Sequence, residues 1–119
     1  MDSHQEGSLS ANAQISEAAV RLLREYTGRG PTRSRTTIDH DTVVVMLGDT
    51  LTKGERALVA NGKAERVLQL RHDFQLAMEA DLVGAVEAAT DRKVVAFMSQ
   101  NHIDPDLAAE VFVLEPEKH

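Results

Sequence analysis

The sequence predicts an α+β fold in the order helix, strand, strand, helix, helix, strand, strand, with a four-stranded, mainly antiparallel sheet backed by helices. Three observations carry this. A long stretch from Lys63 to Ala89 places apolar residues every three or four positions, the period of an amphipathic helix. Two pairs of strand-like runs flank it, rich in Thr and Val before it and in Val, Ala and Phe after it, and each pair is joined by a polar connection short enough for antiparallel neighbours. No internal repeat, low-complexity segment or linker interrupts the 119 residues, which is the length of one compact domain with a core of its own.

Residues 1–10 are polar and small and are expected to form a flexible N-terminus; the domain is expected to span residues 11–116. From Ala11 the pattern turns helical, with Ile15, Ala19, Leu22, Leu23 and Tyr26 on one face. Gly28 sits where a left-handed cap is expected. Pro31 then forbids continuation, so the first helix should end near Thr27. The runs TRSRTTI and TVVVML follow, separated by Asp39-His40-Asp41. A turn centred on His40 and Asp41 puts Ile38 opposite Val43. Thr36 and Ile38 then share a face with Val43, Val45 and Leu47, and Arg33, Arg35 and Thr37 share the other with Val44 and Met46. A slip of one residue would exchange the faces.

Thr52 and Glu55 have the spacing of a capping box, opening a short helix that breaks at Asn61-Gly62. The long helix then carries Val67, Leu70, Phe74, Met78, Leu82, Ala85, Val86 and Ala89 as its apolar positions. KVVAFMS and AEVFVLE read as the last two strands, joined by QNHIDPD. Consecutive apolar residues in both predict that both faces of these strands are at least partly covered.

Composition excludes several function classes. Hydrophobic residues make up 42% and charged residues 27%, the balance of a globular chain. Aromatics make up 3%, with no Trp, too few for a base-stacking platform, and a net charge of -6 opposes attraction to phosphate backbones. The expectation is no nucleic-acid partner. Without cysteine there is no disulfide or thiolate site. The start MDSHQEGSLSANA has neither the basic residues nor the apolar run of a signal peptide, and no apolar run is long enough to span a bilayer. The reading is therefore a cytoplasmic protein that is not itself membrane-spanning and reaches a membrane only through a partner.

Five motifs in order, GRGP (Gly28 to Pro31), LTKGE (Leu51 to Glu55), RHDF (Arg71 to Phe74), TDRKVVAF (Thr90 to Phe97) and VFVLE (Val111 to Glu115), together resemble the bacterial MpsC-like family. That family is named for a sodium-translocating, membrane-potential-generating system whose membrane subunits are also linked to inorganic-carbon uptake. The resemblance covers roughly Ala13 to Glu115. It implies an accessory component and brings no catalytic residues with it. Asp91 stands where the family pattern leads one to expect the glycine of a TGR helix exit, which predicts a slightly strained turn.

The glycines around Arg29 do not make a nucleotide loop, because they follow a helix and Arg33 occupies the third glycine position. Arg33 and Arg35 are two apart and project from one strand face. Arg29 and Gly30 in the preceding turn, and Arg71 on the long helix, complete a candidate anion- or partner-binding set. The plainer reading gives Arg33 and Arg35 to solvent and Arg71 to a structural ion pair. His40, His72 and His102 lack the spacing of a metal motif, so neither a metal nor a cofactor is expected. The serines have no nucleophile context, and the carboxylates are expected in polar surroundings with no raised pKa. If the helices stack on one side, Val44 and Met46, with Val94/Ala96/Met98 or Val95/Phe97, form an uncovered apolar strip. The function this points to is a non-enzymatic accessory domain that homodimerises or docks a subunit of transport machinery; the alternative is a sensor of bicarbonate or a phosphorylated metabolite.

Overall fold

The computed structural model describes residues 9–117. The elements are α1 (Ala11–Thr27), β1 (Arg33–Asp39), β2 (Thr42–Gly48), α2 (Lys53–Ala60), α3 (Ala64–Thr90), β3 (Val94–His102) and β4 (Leu107–Leu114). They form one antiparallel sheet in the order β1-β2-β4-β3. The predicted element order and α+β class are those observed. Most of the expected flexible segment lies outside the described residues. Ser10, at its end, caps α1 by accepting from the Ala13 N–H at 3.1 Å.

Local chemistry sets the boundaries. Gly28 takes the left-handed conformation (φ 85°) and its N–H closes α1 onto the Arg24 carbonyl. In the β1–β2 turn His40 has φ 55°, and Ile38 pairs with Val43, so the register is the predicted one. Arg92 clamps this turn, donating to the His40 carbonyl at 2.8 Å and to Asp41 Oδ1 at 2.6 Å. The capping box forms as expected: Thr52 Oγ1 accepts from the Glu55 N–H, and Glu55 Oε1 accepts from the Thr52 N–H. Gly62 at φ 78° turns the chain from α2 into α3. Asp91 closes α3 in the left-handed region at φ 57°, the conformation a glycine would adopt more freely.

α1 and α3 pack on each other and on one face of the sheet. The core is built by Ile15, Leu22 and Leu23 from α1, Val43, Val45 and Leu47 from β2, Phe112 and Leu114 from β4, and Met78, Leu82 and Val86 from α3. Phe97 joins it with its ring centroid 5.1 Å from that of Phe112.

The buried line of α3 differs from the expected apolar stripe. It runs Val67, Arg71, Gln75, Met78, Leu82, Val86, while Leu70 and Leu76 face outward at 40% and 58% exposure. Two polar residues occupy the inward line because the layer beneath supplies partners for them, Glu55 for Arg71 and Glu110 for Gln75. β3 departs from simple alternation. A bulge between Val94 and Ala96 makes Val95 the extra residue, so the expected set Val94/Ala96/Met98 does not share one face: Val94 packs on the core and Met98 is exposed.

Candidate functional site

The pairing registers put the two faces of the sheet on very different terms. On the helix side, Thr36, Val45, Glu110 and Ser99 form one row across β1, β2, β4 and β3. On the outer side the corresponding rows are Arg35–Met46–Ala109–Gln100 and Thr37–Val44–Val111–Met98. The outer face therefore has an apolar centre of Val44, Met46, Val111 and Met98, with Val113 and Ala96 in the next row. Both described helices that contact the sheet lie on the other side, where the core residues point. Met98 is 53% exposed.

Arg33 and Arg35 stand together on β1 at the margin of this outer face, both exposed. Arg33 pairs with Gly48, and its guanidinium lies against that residue: a Cβ built on Gly48 would come within 2.8 Å of Arg33 Nε. A side chain at 48 would displace the guanidinium. Among the described residues neither arginine has a carboxylate partner.

The other members of the predicted set are elsewhere. Arg29 is tied to Asp49 by an ion pair and by an Nε–H bond to the Asp49 carbonyl at 3.1 Å. Gly30 packs against Arg24 and Val20 of α1. Arg71 is 2% exposed; it donates to Glu55 Oε1 and to the Thr50 carbonyl, both at 3.3 Å. The structure thus brings Arg33 and Arg35 together, gives Arg29 to Asp49 in a pair of its own, and places Arg71 in the interior.

A cleft of about 490 Å³ opens where β1, the β2–α2 loop, α2 and the β3–β4 loop meet. Its charged lining is Arg33, Arg56, Asp49, Asp104 and Asp106. Asp49 binds both Arg29 and Arg56 and accepts from the Thr32 hydroxyl at 3.0 Å. The Thr32 bond is the largest influence on its carboxyl; with Arg56 and Arg29 it outweighs the opposing effect of burial and holds the group below the usual carboxylate range. Asp106 accepts from the N–H and hydroxyl of Thr50 through Oδ1, at 3.0 and 2.8 Å, and from the Leu51 N–H through Oδ2 at 3.0 Å. These carboxylates fasten the loops that carry them. Among the described residues no three His, Asp or Glu side chains are grouped to hold a metal ion.

One residue overturns the expectation that every carboxylate sits in polar surroundings. Glu110 has no exposed surface, and burial pushes its carboxyl up to about 7, against the opposing effects of Ser99, Gln75 and Arg71. The signal was present in the strand alternation, because Glu110 shares its face with Ala108, Phe112 and Leu114.

No described helix is long and apolar enough to cross a membrane. Residues 8–116 match the family model described as Na+-translocating membrane potential-generating system (MpsC). No curated protein and no solved structure matches the chain.

Proposed function

The chain belongs to the MpsC family, described as the Na+-translocating membrane potential-generating system, and from that premise we propose that residues 11–116 form a non-enzymatic, cytoplasmic accessory domain that docks a protein component of such a system through the outer face of its sheet. The observation that carries this reading is the apolar centre of that face, Val44, Met46, Val111 and Met98, with no helix of the described residues over it and with Arg33 and Arg35 at its margin. An apolar strip of this kind on a domain surface is the usual substrate of association. The two arginines select the occupant: a partner with an apolar patch bordered by carboxylates, which bidentate guanidinium contacts would orient.

Sensing of a small anion is the less well supported alternative. It needs several free guanidinium groups converging on one point, whereas Arg29 and Arg71 are already paired with Asp49 and Glu55. A bicarbonate or phosphate entering beside Arg33 would also meet Asp49, Asp104 and Asp106 in the same cleft.

The test is co-expression with the membrane subunits of its system and co-purification of the complex, for the native chain and for a Met98→Glu, Arg35→Glu double variant. Both positions are exposed, so the variant should fold and melt as the native chain does. Docking through the face predicts loss of the complex in the variant; a complex that survives intact refutes it. Sedimentation of the isolated chain distinguishes a second copy of itself as the occupant, since a dimer that dissociates in the same variant would assign the face to self-association. A thermal shift with phosphate or bicarbonate that disappears in Arg33→Ala, Arg35→Ala would instead favour the sensor.

A further inference from the structure

Between α3 and the sheet runs a line of buried polar groups that neither the core nor the docking face uses. At its centre is Glu110 of β4, with no exposed surface. Gln75 of α3 donates its Nε2–H to Glu110 Oε2 at 3.2 Å, and Asn101 of β3 donates its Nδ2–H to Gln75 Oε1 at 2.8 Å. Ser99 is the direct cross-strand partner of Glu110, on the same face. Among the described residues, Glu110 Oε1, Ser99 Oγ and Asn101 Oδ1 are buried with no partner in hydrogen-bonding geometry, although the Ser99 hydroxyl is near enough to act on the Glu110 carboxyl.

The arithmetic of donors and acceptors is what makes this cluster informative. Oxygens cannot satisfy one another without a hydrogen between them, and the Ser99 hydroxyl supplies a single one. An ionised Glu110 would add only acceptors to a place already short of donors, at the full cost of a buried charge. The cation that faces it, Arg71, is engaged with Glu55 Oε1 and the Thr50 carbonyl. β2 presents only Val45 in this row. A proton on Glu110 supplies the missing donor and removes the charge in one step.

We propose that Glu110 is a proton-binding site built into the fold: its carboxyl holds a proton while α3 is seated on β3 and β4, and loses it when the seam opens to water, so that the seating of α3 answers to pH. The charged groups facing it are Arg71 on α3 and, through Arg71, Glu55 on α2; the remaining neighbours, Gln75, Ser99, Asn101 and Val45, do not titrate. Burial raises the carboxyl to about 7 from its ordinary 4.5, which puts the switch in the neutral range. The sign follows from linkage. Protonated in both folded and unfolded chains at low pH, Glu110 contributes fully there. As pH rises above 4.5 the unfolded chain gives up its proton while the folded chain keeps it, and stability falls until pH passes about 7. The gap between 4.5 and about 7 corresponds to roughly a 300-fold fall in the folding equilibrium constant.

Two measurements on the full chain decide it. Denaturant unfolding from pH 5 to pH 9 should show the native chain losing stability relative to Glu110→Gln as pH rises, with the difference levelling off above neutrality. Gln is the uncharged isostere of the protonated acid, and its amide can donate to the oxygens now lacking a partner. Parallel profiles for the two proteins would overturn the proposal. Carboxyl-carbon NMR of the native chain reads the same event directly and does not depend on the variant folding. A resonance absent from Glu110→Gln or, if that does not fold, from Glu110→Asp, and titrating near neutrality, is the expected result. Titration near 4.5, or none between pH 5 and pH 9, would overturn it.

Discussion

Glu55→Gln and Arg71→Met each strand a buried charge, and together they remove both. The two side chains are 4% and 3% exposed and meet at 3.3 Å. Glu55 Oε1 also accepts from the Thr52 N–H at 2.8 Å, so one oxygen serves both the helix cap and the ion pair. Gln at 55 keeps an acceptor for the cap and deletes the charge, leaving the Arg71 guanidinium with neutral acceptors only and no counter-ion. Met at 71 keeps most of the stem that fills the α3 interface and leaves a carboxylate buried without its cation. Breaking a buried pair from one side costs about 3–5 kcal/mol, because the surviving charge is desolvated and uncompensated. Domains of this size are stable by about 5–15 kcal/mol in all, so either single change should be conspicuous. In urea, with a slope of about 1–3 kcal/mol per molar, the midpoint should fall by roughly 2 M. The double variant should be more stable than the sum of the single losses implies, by at least about 2 kcal/mol, since neither charge remains to be stranded. Two single losses below about 1 kcal/mol, or a double variant that is simply additive, would mean that water reaches this pair and that the reasoning about its burial is wrong.

Two further outcomes test the loop chemistry. Asp106→Ala removes the acceptor for the Thr50 N–H, the Thr50 hydroxyl and the Leu51 N–H, and should cost about 2–3 kcal/mol in the same unfolding assay, with faster amide exchange at Thr50 and Leu51. Asp91→Gly relieves a left-handed backbone at φ 57° and should raise stability by about 0.5 kcal/mol, read as a small increase in melting temperature.

The β1–β2 hairpin was legible once its turn was centred on His40 and Asp41, because that register sets Ile38 opposite Val43 and Thr36 opposite Val45 on one face; sequence alone left a one-residue slip open. The bulge at Val95 was not, since one inserted residue reverses the alternation without altering the composition of the strand. α3 was legible as a helix but not in its orientation. Leu70 and Phe74 look like core positions by hydrophobicity, yet the inward line passes through Arg71 and Gln75, whose partners Glu55 and Glu110 lie 16 and 35 residues away. The arginine set shows the same limit. Proximity in sequence grouped Arg29 with Arg33 and Arg35, but Asp49, brought alongside by the β1–β2 pairing, takes Arg29 for itself.

The motifs on which the family resemblance rests divide into two physical jobs. Arg29, Glu55, Arg71 and Arg92 each knot a loop or a helix end to a distant segment, so their side chains are explained by the fold. Val111 and Val113 are not explained that way. β4 lies inside the sheet, and its helix-facing residues, Ala108, Glu110, Phe112 and Leu114, already complete the core. The outward residues Leu107, Ala109, Val111 and Val113 are wholly apolar, while the inward set includes the one acid. A sheet with one solvated face has the reverse pattern, polar outside and apolar within. Two separate causes are needed for this inversion, one for each face. On the outside the cause we propose is a covering partner, in keeping with the arginines at the margin; on the inside it is the proposed proton on Glu110, which would remove the charge of an acid buried among few donors.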